Sequence, residues 1–162
     1  MTNNDVLRRL RYTFDFDDSK MISIFGLADY IITREQISDL LKKDDDAAFQ
    51  ECTDMQLATF LNGLINDRRG KREGEQAKPE KHLNNNMIFK KLKIALDLKN
   101  EDVLGIMVFA DFELSPHELS AFFRKKGHKN YRECKDQVLR NFLQGMQFKY
   151  RDNAYAKAGE HK

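Results

Sequence analysis

The chain has no tryptophan and only two cysteines and two prolines among its 162 residues. No apolar run approaches the ~20 residues that a membrane-spanning helix needs, and the first residues lack the basic-then-apolar pattern of a secretory signal. Phosphate-binding glycine loops and the Gly-x-Ser-x-Gly turn of a nucleophilic serine are also missing. We therefore expect a soluble cytoplasmic protein with no membrane partner, although an unrecognised export route stays open.

What the chain does contain is an internal repeat. Residues 3–70 match residues 85–152 at an offset of 82 positions without a gap. Self-similarity at a fixed offset is the signature of a duplicated structural unit. Each copy spans 68 residues, a size at which an isolated core is marginal. We expect the two copies to pack on each other or on another chain.

Composition and periodicity divide the chain into four segments. Residues 1–70 form a first helical repeat and residues 85–152 a second one. Residues 71–84 are polar and aperiodic, which is typical of a linker. Residues 153–162 are small and polar and are predicted to be a flexible tail.

Each repeat is predicted to contain four helices, because its apolar residues recur at helical spacing. The third helix has the clearest start: Thr33 and Ser115 each stand three residues before a Gln or Glu, as in a capping box. No segment alternates for long as a strand would. The expected fold is all-α, with two tandem four-helix repeats related by an approximate two-fold. The fourth helices should bury these residues: Leu57, Phe60, Leu61 and Leu64, and Leu139, Phe142, Leu143 and Met146.

Two pairs of equivalent residues are predicted to lie in the core. Gly63 and Gly145 fall inside the fourth helix, where glycine costs ~1 kcal/mol relative to alanine. Because both copies accept that cost, we predict that another backbone approaches closely there. Cys52 and Cys134 are also equivalent, and we expect them to be buried in the core, because no Cys or His stands beside them at metal-ligand spacing.

The two copies carry opposite charge. Residues 1–70 have 9 Lys and Arg against 13 Asp and Glu, whereas residues 85–152 have 13 against 9, so the net charges are −4 and +4. Independent divergence of two solvent-exposed surfaces would explain this difference in net charge. Opposite fields would also favour contact between the copies, within one chain or head to tail between chains. The second copy could also meet an acidic partner.

Four carboxylates that both copies share are candidate site residues. Asp29 and Asp111 fall near the C-terminal end of the second helix, where negative charge opposes the helix dipole. Each could accept hydrogen bonds from a neighbouring loop or helix N-terminus, or the two could form an acid–base pair across the two-fold. Glu51 and Glu133 precede the fourth helix, where negative charge is favourable.

Nucleic-acid binding is the alternative to protein binding. The second and third helices are separated by a short segment, as in a helix-turn-helix, and Arg124, Lys125 and Lys126 would be basic contact residues at the far end of the third helix. The net acidity of the first copy opposes phosphate binding.

Paired motifs resemble the YehS-like family of uncharacterised bacterial proteins over residues 3–152. The resemblance rests on the Asn-Asn start of each copy, on Leu-Ala-Asp-Tyr at 27–30 with Phe-Ala-Asp-Phe at 109–112, on the capping boxes, and on Glu-Cys-x-Asp-x-x-Leu-x-x-Phe-Leu-x-Gly. It implies a duplicated, soluble bacterial domain of unknown function. Because catalytic constellations are missing from the sequence, we expect a non-enzymatic interaction or scaffold module that binds another protein or itself, without metal, cofactor or catalytic residue. An enzyme that uses Asp29 and Asp111 is a remote third hypothesis.

Overall fold

The computed structural model describes residues 1–153, and that range holds eight α-helices and no strand. The all-α fold with two four-helix repeats is therefore confirmed. A π-helical segment, Phe148–Asp152, continues the last helix. The first repeat contains α1 (Asn3–Phe14), α2 (Asp18–Leu27), α3 (Arg34–Leu41) and α4 (Asp54–Arg69), and the second contains α5 (Asn85–Ala95), α6 (Asn100–Val108), α7 (Pro116–Phe122) and α8 (Asp136–Gln147).

The predicted capping boxes begin the third helix of each repeat. The Thr33 hydroxyl accepts from the backbone N–H of Gln36 at 3.1 Å, and the Gln36 side chain accepts from the Thr33 N–H at 2.8 Å. Ser115 and Glu118 make the same two bonds, at 3.0 and 3.1 Å. The hydrogen bond from the Ser115 backbone lowers the pKa of the Glu118 carboxyl. Local sequence therefore sets these helix starts.

Each second helix begins one residue after its N-cap. Asp17 caps α2, and its carboxylate accepts from the Lys20 N–H at 2.7 Å. In the second repeat the N-cap is Lys99, whose side chain makes no capping bond. Its backbone N–H instead donates to Asp102 at 2.8 Å. Asp18 and Asn100 are the first residues of their helices.

The two repeats pack together across an approximate two-fold. Helix α4 of the first repeat packs on α5 of the second, and the equivalent pair, α1 and α8, packs in the same way. Within each repeat the second helix packs on the fourth. Equivalent core residues have equivalent surroundings: Leu10 and Leu92 are both fully buried, as are Phe60 and Phe142. The buried residues of both repeats form one continuous hydrophobic core.

Two pairs of equivalent polar contacts cross the boundary between the repeats. Arg69 at the end of α4 lies 2.8 Å from Asp97, and its equivalent Arg151 lies 3.6 Å from Asp15. The backbone N–H of Leu83, in the linker, donates to Asp54 at 2.9 Å. Its counterpart is the amino group of Met1, which lies 3.3 Å from Asp136. The chain therefore enters each repeat through the same contact.

Close backbone approach at the two shared glycines is confirmed. A Cβ at Gly63 would lie 1.9 Å from the carbonyl oxygen of Ile24 in α2, and a Cβ at Gly145 would lie 2.2 Å from that of Ile106 in α6. Only glycine allows these helices to pack at that distance.

The remaining segments are the linker and the tail. Residues 71–84 have no helix, and Gln76 contacts Asn66 of α4 at 3.1 Å. The predicted tail lies, apart from Asn153, outside the described residues. None of the helices in residues 1–153 is long and apolar enough to cross a membrane.

Candidate functional site

A buried asparagine near the start of each repeat holds the loop that precedes the fourth helix. The Asn4 amide donates to the carbonyls of Leu40 and Gln50 at 2.8 and 2.9 Å, and its oxygen accepts from the Cys52 N–H at 3.0 Å. Asn86 makes the equivalent bonds at 3.0, 2.8 and 2.9 Å, to Phe122, Arg132 and Cys134. Sequence reasoning did not find this role, although an Asn at the same position of both copies was the available signal.

The two cysteines are buried in the core, as predicted, with 2 % and 1 % of Cys52 and Cys134 exposed. Burial raises the pKa of each thiol to about 12. A thiol with such a pKa holds its proton at neutral pH, which makes it a poor nucleophile and a poor metal ligand. In residues 1–153 no group of three or more His, Cys, Asp or Glu side chains could hold a metal ion.

Asp29 and Asp111 each follow the end of a helix in the left-handed backbone conformation, with φ of 61° and 54°. In the first repeat the N–H of Asp29 donates to Gly26 and that of Tyr30 to Phe25, which is the Schellman pattern of helix termination. The ring of Tyr30 packs on Phe25, 5.5 Å between centroids. Short polar residues tolerate this conformation better than most others.

The same two carboxylates are exposed to solvent. The Asp29 carboxylate lies 3.1 Å from the Lys71 ammonium of the linker. In the described part of the chain, no hydrogen bond joins Asp29 to Asp111. Backbone conformation accounts for an aspartate at each position, as it does for Asp15 and Asp97, both at φ of 54°.

Glu51 and Glu133 are exposed at equivalent positions just before the fourth helix. Glu133 lies 3.4 Å from Lys135, and both side chains are mostly exposed. An exposed pair of this kind contributes little to stability.

A groove in the second repeat brings the predicted basic residues together with apolar side chains. We call this cavity of about 560 Å³ the basic groove. It lies between the first turns of α5 and the end of α7. No carboxylate lines it within the described residues. The lining residues are Asn84, Asn86, Met87, Lys90, Phe122, Phe123, Arg124, Lys125, Lys126 and Tyr131.

The cations of the basic groove are not neutralised by this chain. Lys90, Arg124, Lys125 and Lys126 are all exposed, and none forms an ion pair within residues 1–153. Lys93 extends the positive charge, and burial, followed by repulsion from Lys90, lowers its pKa. A concave surface with unopposed positive charge attracts acidic groups.

Equivalent positions of the first repeat keep three cations, Arg8, Lys42 and Lys43, but two of them are paired with carboxylates. Arg8, the counterpart of Lys90, lies 2.5 Å from Asp5, which replaces Met87. Lys42, the counterpart of Arg124, lies 2.7 Å from Asp39. Asp44 stands where the second repeat has Lys126. The basic groove is therefore a property of one repeat and not of the duplicated fold.

The first repeat has a larger cleft of about 860 Å³, with lining residues of both signs. Its arginines already have partners within the chain. Arg11 lies 2.6 Å from Asp18, and Arg151 donates to the Tyr12 carbonyl at 2.5 Å. Because its cations already have partners, the cleft offers less to an anion than the basic groove does.

The helix pairs that the sequence likened to a helix-turn-helix have long connections. Residues 28–33 join α2 to α3, and residues 109–115 join α6 to α7. The usual turn of that motif has 3–4 residues. Helices α3 and α7 span only 8 and 7 residues. This geometry differs from a helix-turn-helix.

Comparison with known proteins agrees with the duplication. Residues 3–70 and 85–152 each match the family model described as "Protein of unknown function (DUF1456)". A relative from Escherichia coli (strain K12), "Uncharacterized protein YehS", is 44% identical over 147 residues, which cover 90% of this chain and 94% of that protein. No solved structure matches the chain.

Proposed function

Since this chain belongs to the DUF1456 family, whose description assigns no activity, we propose a function from its own surface: a non-enzymatic module that binds an acidic protein segment in the basic groove. The observation that carries the proposal is the set of unpaired cations at Lys90, Arg124, Lys125 and Lys126 around an apolar floor. Charge would steer an acidic segment to the groove, and the apolar lining would hold a side chain from it.

The loop that carries Arg124, Lys125 and Lys126 is held in place from inside. Asn86 fixes both of its ends through the carbonyls of Phe122 and Arg132. A groove whose backbone is already ordered loses less conformational entropy when a partner binds. This supports binding by a preformed surface.

Nucleic acid is the alternative ligand, and the two phenylalanines of the groove argue against it. Phe122 is buried, and the face of Phe123 is covered by the Lys93 ammonium, 4.6 Å from the ring centroid. Phe123 also meets Phe89 edge-on at 5.0 Å. Proteins that bind single strands usually stack bases on free aromatic faces, which neither phenylalanine offers.

An enzyme built on Asp29 and Asp111 receives no support from their surroundings. Both carboxylates are exposed, and their helix-terminating conformation already explains why aspartate occurs there. An acid–base pair would need both groups within reach of the same substrate.

Fluorescence anisotropy with a labelled peptide of Asp and Glu residues and one Phe tests the proposal. We expect binding at low salt that weakens as salt rises, because the Debye length falls to about 8 Å at physiological ionic strength. The K125E/K126E variant should bind at least about tenfold more weakly, since two attractive contacts become repulsive. The matched control is K78E/K81E, which changes two exposed linker lysines and should bind like the parent chain.

Two results would overturn the proposal. One is the absence of peptide binding at low salt, and the other is an equal loss in both double variants. A single-stranded oligonucleotide of the same net charge, bound more tightly than the peptide, would favour the nucleic-acid alternative.

A further inference from the structure

The loop between the third and fourth helices has opposite charge in the two repeats. Residues 44–51, which we call the acidic loop, contain four carboxylates and no cation. The equivalent residues 126–133 contain three cations and one carboxylate. Most of the charge difference between the repeats is therefore concentrated in one structural position.

The acidic loop is exposed and has no cation of its own. Asp44, Asp45, Asp46 and Glu51 are all exposed, and none forms an ion pair in the described part of the chain. Asp46 accepts only a local backbone hydrogen bond, from Ala48 at 2.9 Å. The nearby Lys42 ammonium interacts with Asp46 but forms its ion pair with Asp39, at 2.7 Å. Four like charges in one loop repel one another, and an external cationic surface would relieve that repulsion.

Both loops are presented on the same rigid support. Asn4 holds the acidic loop through Gln50 and Cys52, as Asn86 holds the equivalent loop through Arg132 and Cys134. The acidic loop and residues 126–133, which contribute Lys126 and Tyr131 to the basic groove, therefore occupy places that the internal two-fold relates.

We propose that a second copy of this chain is a partner of the basic groove: the acidic loop of each copy lies on the basic groove of the other. Charge complementarity selects this occupant, because both surfaces are exposed, unpaired and opposite in sign. The inference deepens the proposed function and depends on it.

Symmetry allows both contacts to form at once. Surfaces related by the internal two-fold lie at the same height along its axis. A second copy turned by 180° about a perpendicular axis can place its basic groove on the first copy's acidic loop and its acidic loop on the first copy's basic groove. Two identical contacts make a closed dimer, in which no acidic loop or basic groove is left to bind a third copy. The second contact forms within the complex, which strengthens the pair.

Sedimentation velocity on the whole chain tests the inference. We expect a dimer at low salt that dissociates as salt rises. The D44K/D45K variant brings the acidic loop from a net charge of −4 to zero, and K125E/K126E brings residues 124–133 from +4 to zero. Each variant alone should be monomeric, with a dimerisation constant at least about tenfold weaker, because the charge attraction is then lost at both contacts. An equimolar mixture of the two variants should restore the dimer.

Controls separate local contact from net charge. The linker variants E73K/E75K and K78E/K81E change net charge by the same amounts at exposed positions, and they should dimerise like the parent chain. The proposal is overturned if the parent chain is monomeric at low salt, if the mixture stays monomeric, or if the linker variants lose the dimer equally. A monomer that still binds the acidic peptide removes only the second copy as partner. Loss of peptide binding as well removes the proposed function.

Discussion

Replacing Gly63 by alanine tests how closely α2 and α4 approach each other. The added Cβ would lie 1.9 Å from the carbonyl oxygen of Ile24 and 2.8 Å from its carbonyl carbon. Ordinary contact begins at 3.4 Å. Both atoms belong to helix backbone and cannot turn away as a side chain would. The two helices must therefore separate by about 1 Å or more, which disturbs a close-packed core.

The expected loss follows from two opposing effects. Overpacking a core costs about 1–3 kcal/mol, and a backbone clash lies at the upper end of that range. Alanine is better than glycine in a helix by about 1 kcal/mol. The free energy of unfolding should therefore fall by about 2 kcal/mol. For a chain of this size, that loss lowers Tm by about 4–8 °C.

Urea denaturation followed by circular dichroism measures the effect, and Gly105→Ala is the matched control. Gly105 also lies inside a helix, α6, but nothing lies within 4 Å of the position its Cβ would take. That variant should gain up to about 1 kcal/mol from helix propensity alone. The reasoning is refuted if Gly63→Ala is as stable as the parent chain, or if both variants shift stability in the same direction.

Two further substitutions test the loop support and the helix ends. Asn86→Ala should lower the free energy of unfolding by about 3 kcal/mol, because it leaves the buried Phe122 carbonyl, the partly buried Arg132 carbonyl and the Cys134 N–H without their partner. A loss below about 1 kcal/mol in urea denaturation would contradict this. Asp111→Gly should leave stability unchanged or raise it by up to about 1 kcal/mol, whereas Asp111→Val should lower it by about 1–2 kcal/mol, because φ is 54° there. Thermal melts of the two variants in the opposite order would show that backbone conformation does not select this aspartate.

Features that depend on neighbours in sequence could be predicted. The capping boxes at Thr33 and Ser115 need only residues three positions apart, so their pattern is complete in the sequence. The close approach at Gly63 could be inferred because its counterpart, Gly145, is also a glycine inside a helix, where glycine is less favourable than alanine. The duplication helped this inference, because a glycine that occurs at the same position of both repeats must satisfy the same packing geometry in each.

Features that depend on distant partners could not be predicted. Asn4 bonds to groups 36–48 residues away, and an Asn near a helix start is ordinary in itself. Asp29 and Asp111 were interpreted through the helix dipole, but their backbone conformation is the stronger constraint. The basic groove needs Met87 beside Phe123, which only the packing of α5 against α7 brings together.

The shared core determines how the protein unfolds. The boundary between the repeats is bridged twice, by α4 with α5 and by α1 with α8, and the same apolar side chains fill the space between both pairs. Pulling one pair apart exposes the interior that the other pair covers. The chain should therefore unfold in a single cooperative step, with no species in which one half is intact and the other is lost.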